Sequence, residues 1–243
     1  IDVLLRGTAW TLSRDSDLNA RFVDVLFYDG QGFLVRRDHA VSSVLELSGA
    51  TICVTQGGVA ERAVADFFTR SKLRYQLISQ PRWEDLVKAY AAGGCTVLTA
   101  DLSLLAHQRS RMSNPSEFAL LPELISKEFL GPYVRTGDDA WFSIVRWTVM
   151  ALIAAEEMGV TSSNVVAMDN TTMLDVRRLL GLEANLGQPL GLARDWAMQI
   201  VKQVGNYGEI FERTLGYGSS MKLERGLNNL WTKGGLMYAA PFR

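Results

Sequence analysis

Apolar residues along this chain follow two rhythms, and the change from one to the other divides the sequence. Up to about residue 130, short apolar runs alternate with amphipathic stretches. Ile1–Leu5 and Phe33–Arg37 read as strands, and the hydroxyl and acidic residues of Thr11–Asp15 mark a helix start between them. Val41–Leu47 spaces its apolar residues for a short helix. Thr51–Val54, Tyr75–Ile78 and Thr96–Ala100 read as buried strands, separated by helices over Ala60–Arg70 and Trp83–Ala92. That succession predicts an α/β unit with a mostly parallel sheet over about residues 38–130. Ligands of such sheets sit beyond the carboxyl ends of the strands. This points to the Gln56-Gly57-Gly58 turn after one strand and to Asp101 after another.

Past Gly131-Pro132 the period becomes helical. One helix is predicted over 138–158, opened by Asp138-Asp139 at the positive end of its dipole. Others are expected over about 173–180, 192–204, 206–215 and 222–231, punctuated by Gly181, Gly205, Gly216 and Gly234-Gly235. Trp141, Trp147, Trp196 and Trp231 fall at helical spacing and are expected in the core, whereas Trp10 stands in a turn that could line a pocket. The chain opens inside an apolar run, without Met, and reads as missing its natural beginning.

Composition narrows the classes. Of 243 residues, 48% are hydrophobic and 21% charged, which excludes wholesale disorder. With 25 Lys+Arg against 26 Asp+Glu the net charge is −1, so nothing draws the chain as a whole to nucleic acid or to an anionic membrane. His39 and His107 stand apart, which argues against a hydrolytic triad or a His-rich metal site, and no phosphate-binding glycine loop is present. Neither metal nor cofactor is expected. Cys53 and Cys95 lie in separate apolar runs and read either as two buried thiols or, if those strands are neighbours, as one disulfide.

Three features remain as candidate chemistry. Arg14 could grip a carboxylate through its fork of donors, or pair with Asp15 or Asp17 on the surface. Asp101 could accept an ammonium, or cap the helix after it. The Gln56–Gly58 turn offers backbone amides before a helix. Together they make a set for a zwitterion.

The stretch Arg6-Gly-Thr-Ala-Trp-Thr-Leu-Ser-Arg-Asp15 resembles the T-x-T-x-x-R segment of polar amino-acid-binding periplasmic proteins. With Phe27-Tyr-Asp-Gly-Gln-Gly-Phe33, Ile125–Pro132, Gly137–Trp141, Val204–Arg213 and Gly226–Leu236, the chain is similar along its length to the general L-amino-acid-binding proteins of ABC importers. The resemblance implies an α/β, two-lobed periplasmic-binding-protein-like fold of type II, its first lobe incomplete and followed by a helical C-terminal extension. Residues 1–36 and 132–243 would form the first lobe, and 37–131 the second. Closure of the lobes would hold an L-amino acid for delivery to a membrane permease, in the periplasm and without catalysis. By position, Arg14 would bind the α-carboxylate and Asp101 the α-ammonium. Gly7, Ala9 and Thr11 would line one side, with Gly58 and Val59 on the other. Ala9 stands where relatives carry a hydroxyl, and Gly58, Val59 and Ala60 replace a run rich in threonine. The resemblance also implies a Cys53–Cys95 disulfide. The alternative expectation is a truncated relative that has lost its ligand and acts through self-association or a protein partner.

Overall fold

A computed structural model describes residues 1–243. The strands and helices follow in the order β1 (Val3–Leu4), α1 (Leu12–Asp17), β2 (Ala20–Phe22), β3 (Phe27–Asp29), β4 (Gln31–Arg36), β5 (Ala50–Thr55), α2 (Val59–Arg70), β6 (Tyr75–Gln80), α3 (Trp83–Ala91), β7 (Val97–Asp101), α4 (Leu102–Ser110) and β8 (Phe118–Leu120). Then come β9 (Glu128–Leu130), β10 (Tyr133–Arg135), α5 (Asp139–Glu157), α6 (Leu174–Leu179), α7 (Trp196–Val204) and α8 (Tyr207–Thr214). By packing, Ile1–Tyr28, Phe129–Ser219 and Glu224–Arg243 form a first unit, and Asp29–Glu128 with Ser220–Leu223 a second.

The second unit is built on a five-stranded sheet in the order β6-β5-β7-β4-β8. β5 pairs parallel with β6 and β7, while β4 runs antiparallel to both β7 and β8. Alternation along the strands sorts the core into two faces. Phe33, Val35, Ile52 and Val97 pack with Val64 and Phe68 of α2. Leu34, Cys53 and Leu98 point the other way, against Leu86 and Tyr90 of α3 and Leu105 of α4. A sheet covered on both faces needs continuous apolar strands, which is why these runs stand out in the sequence. The second unit begins earlier than residue 37 because Gln31–Arg36 belongs to its sheet, hydrogen-bonded between β7 and β8. The helix expected over Val41–Leu47 shrinks to one 3-10 turn, Val44–Glu46, held by reciprocal bonds between Ser43 and Glu46.

The first unit holds a three-stranded antiparallel sheet, β1-β10-β2, and the helices that follow it. Of the expected opening strand, only Val3–Leu4 pairs. α5 starts at Asp138, whose carboxylate accepts from the Trp141 amide. It is buried nearly all round in its second half, from Val149 to Ala155. The predicted helix 192–204 begins only at Trp196, because the Leu192 amide turns back to the Gly187 carbonyl.

The helix expected over 222–231 does not form. Lys222 and Gly226 adopt positive φ, and side chains take over the backbone's bonding. Arg225 forms a bidentate ion pair with Glu156 at 2.7 and 3.0 Å and also donates to the Asn228 carbonyl. Asn228 in turn brackets Tyr28, accepting from its amide at 2.7 Å and donating to its carbonyl at 2.9 Å. Only the short 3-10 turns Gly226–Asn228 and Trp231–Lys233 remain. Trp231 is consequently 55% exposed on such a turn, against Tyr238, and not in the core. No helix is long and apolar enough to cross a membrane.

Cys53 and Cys95 are bonded inside the second unit, with 5.8 Å between their Cα atoms and a separation of 42 positions in sequence. In the chain-entropy picture, closing such a loop stabilises the fold by about 4 kcal/mol. Reduction, or replacement of both cysteines by alanine, is expected to lower the unfolding free energy by about 2–4 kcal/mol. Denaturant titrations with and without reductant measure this, and coincident midpoints would reject it.

Candidate functional site

The candidate residues fall into two groups, one per unit. In the first unit, Thr11 caps α1, its hydroxyl accepting from the Arg14 amide. The cap sets the turn from which the Arg14 side chain folds back, and its Nη1 donates to the Ala9 carbonyl at 2.8 Å. The Tyr133 hydroxyl donates to the same carbonyl at 3.0 Å. Neither Asp15 nor Asp17 pairs with Arg14; Asp15 accepts from the Trp10 indole instead. Arg14 is thus oriented by one neutral acceptor, and its remaining N–H donors make no hydrogen bond within the protein. Trp10 stacks on Phe22 at 5.0 Å, with its planes nearly parallel, and is 45% exposed. Ala9 is buried and presents no polar side-chain atom, so its part is played by its carbonyl. Gly7 is exposed, with open space where a Cβ would stand.

In the second unit, the parallel strands β5, β6 and β7 end at Thr55, Gln80 and Asp101, at one edge of the sheet. The turn after β5 uses Gly57 at φ +71°, a conformation glycine adopts without strain. Gly58 then leads into α2 as its N-cap, and Val59 is exposed. Glu61 ties the turn down, accepting from the Gly57 amide at 2.7 Å and from the Ser79 hydroxyl at 2.6 Å. Those bonds, the hydroxyl's first, hold the Glu61 carboxyl below its ordinary pKa. The amides of Gly58, Val59 and Ala60 find no acceptor in the protein.

Asp101 closes β7 and precedes α4, yet its side chain caps nothing and forms no ion pair. The first turn of α4 is served by another residue: buried Asp29 accepts from the Ser103 hydroxyl at 2.5 Å and from the amides of Gly30 and Ser103. Asp101 is exposed as a residue, but the protein packed around its carboxyl, and next the Asp29 carboxylate, push its pKa above the ordinary aspartate value. Beside it, Gln31 is buried and donates to the Ala60 carbonyl and the Thr99 hydroxyl, both at 3.0 Å. Asp29, Gln31, Glu61 and Ser103 escaped the reading of the sequence. The one visible signal was polar Asp29 and Gln31 at the threshold of an apolar strand.

No group of metal-ligating side chains is present. The raised pKa of Asp101 has a consequence for stability with a definite sign. A carboxyl whose pKa is higher folded than unfolded disfavours folding above its folded pKa, and that cost fades as pH falls toward the unfolded value. Asp101→Asn is therefore expected to raise the melting temperature of the ligand-free protein at pH 7, the gain vanishing below about pH 3.8, the ordinary aspartate value. Thermal melts of both proteins across pH check this; a lower melting temperature for the variant at pH 7 would contradict it.

No protein-family model matches the chain. It is 51% identical over 245 residues to the general L-amino acid-binding periplasmic protein AapJ of Rhizobium johnstonii, covering all of this chain and 72% of the relative. It is 47% identical over 244 residues to the glutamate/glutamine/aspartate/asparagine-binding protein BztA of Rhodobacter capsulatus, with the same coverage. Among solved structures, an ABC transporter periplasmic binding protein from Brucella ovis with glutathione bound superposes with a TM-score of 0.88 at 46% identity, over 100% of this chain and 77% of the other.

Proposed function

The chain belongs to the periplasmic amino-acid-binding proteins of ABC importers, with their type II mixed α/β fold, and from that premise we propose that it binds the zwitterionic head of an L-amino acid through Arg14 and Asp101. Arg14 takes the α-carboxylate and Asp101 the α-ammonium of the same ligand. One observation carries the reading: the fold sets Arg14 through the Ala9 carbonyl and Asp101 at the end of β7, and pairs neither with an opposite charge. The protein packed around Asp101 disfavours its charged form, and a ligand cation beside it relieves that cost. The free amides of Gly58–Ala60 add donors for the ligand, in place of the missing hydroxyls.

The binding is without chemical turnover, and the loaded protein hands its amino acid to a membrane permease from the periplasmic side. The disulfide fits an oxidising compartment of that kind. Assembly without a ligand is not favoured, since the relatives near 50% identity are named for solute binding.

A second ligand deserves a place in the test. Glutathione, present in the Brucella ovis relative, carries at its γ-glutamyl end the same α-ammonium and α-carboxylate as a free amino acid. The Arg14–Asp101 pair would take either head.

A thermal-shift screen of the twenty L-amino acids and glutathione tests the proposal. A ligand at 100 times its Kd adds about 2.7 kcal/mol to the native state. At least one ligand is expected to raise the melting temperature. Arg14→Ala is expected to weaken that binding by roughly 1.5–3 kcal/mol, the worth of hydrogen bonds to a charged group. Asp101→Asn should weaken it too, despite stabilising the free protein. A sharp transition that no ligand moves would overturn the reading.

A further inference from the structure

We propose that Gln31 is a positioning residue for this site: a buried amide that fixes the amide-bearing turn of α2 against the strand carrying Asp101. The inference rests on the amino-acid-binding reading above, and concerns a residue that touches the ligand only through others.

Gln31 opens β4 directly opposite Asp101 in the antiparallel register, with Phe33 opposite Thr99 and Val35 opposite Val97. Residues in these pairs share a face of the sheet, the one covered by α2. Along that face Phe33, Val35 and Val97 are apolar and buried, and position 31 would by the same logic hold another apolar side chain. It holds instead an amide only 2% exposed. A buried amide costs folding free energy unless its bonds are made, so its presence asks for a reason.

Its bonding supplies one. Gln31 Nε2 donates to the Ala60 carbonyl in the first turn of α2 and to Thr99 Oγ1. The Thr99 hydroxyl spends its own proton on the Gly32 carbonyl at 2.7 Å, so its oxygen can only accept from Gln31. Both partners therefore demand a donor, which fixes the orientation of the amide. Ala60 is the third of the residues whose amides stand free at the start of α2, next to Gly58 and Val59. One side chain thus ties β4, β7 and the α2 turn together. Glu61 holds the same turn from its outer side, through Gly57 and Ser79. With both clamps in place, the amides and the Asp101 carboxylate keep one spacing before any ligand arrives.

The test uses the full chain and two readouts. One is calorimetric titration with each of the twenty L-amino acids. The other is hydrogen exchange of the α2 first-turn amides in the ligand-free protein. Gln31→Leu, which keeps bulk and deletes both bonds, is expected to weaken binding about tenfold and to speed exchange at residues 58–62 while the far end of α2 keeps its protection. Val64→Ala, in the core of the same helix, is expected to lower the melting temperature yet leave Kd within about twofold. Should Gln31→Leu not fold, Gln31→Asn, whose amide falls one methylene short, serves in its place. Gln31→Glu sets a carboxylate against two acceptors, so its affinity relative to wild type at the same pH, a ratio that cancels the titration of Asp101 opposite, should recover as pH falls and the carboxyl gains a proton to donate, a dependence that loss of packing alone would not produce. Wild-type affinity and wild-type exchange in Gln31→Leu would overturn the proposal. If the wild type binds no amino acid while exchange still quickens in Gln31→Leu, the binding reading fails and Gln31 remains only a clamp on the turn, which overturns its ligand role.

Discussion

The candidate residues of the second unit depend on one pairing, the antiparallel register of β4 with β7. In a sheet whose other strands run parallel, the carboxyl ends of β5, β6 and β7 gather at a single edge. A strand running the opposite way brings its beginning to that edge instead of its end. Gln31 therefore arrives beside Asp101, and Asp29, just before it, arrives under the first turn of α4. Shift the register by one residue and Gln31 would face α3 and α4, with Leu34 turned toward α2. The alternation of Phe33, Leu34 and Val35 between two apolar faces forbids that slip.

The chain treats its charges in two distinct ways. Glu156 and Arg225 bury a bidentate pair, with side chains 10% and 14% exposed, and Arg225 lies over the rings of Tyr207 and Phe211. Arg225 spends four N–H donors inside the protein, on Glu156 and the Asn228 carbonyl, and the pair holds the loop that brackets Tyr28. Arg14 and Asp101 are the opposite case. Each has an assigned place, and each keeps its bonding capacity open.

Much of the second unit was legible because a doubly covered sheet writes continuous apolar strands, and the glycines of Gln56–Gly58 mark the turn between strand and helix. Arg14 and Asp101 stand at element boundaries, and the structure shows neither the surface pairing of Arg14 nor the helix capping by Asp101 that the sequence left open. What escaped was whatever side chains decide over long range. Residues 222–231 carry helical spacing, but Arg225 and Asn228 find partners at Glu156 and Tyr28, some seventy and two hundred residues away, and these outweigh local propensity. Trp231 was assigned to the core by periodicity and went to the surface with the lost helix. The boundary near residue 36 was missed for the same reason: strand membership is settled by which neighbours a strand finds, and β4 finds β7 and β8.

The way the two units are cut from the chain also fixes an order in time. Apart from Ser220–Leu223, the second unit is one unbroken run, and all its strands exist once residue 128 has been made. In the first unit β1 and β2 both pair with β10, more than a hundred residues further along the chain. Long-range pairing of this kind is slow, and a chain made from its N-terminus completes first whatever is local. The second unit can therefore complete its sheet before β10 joins β1 to β2 in the first.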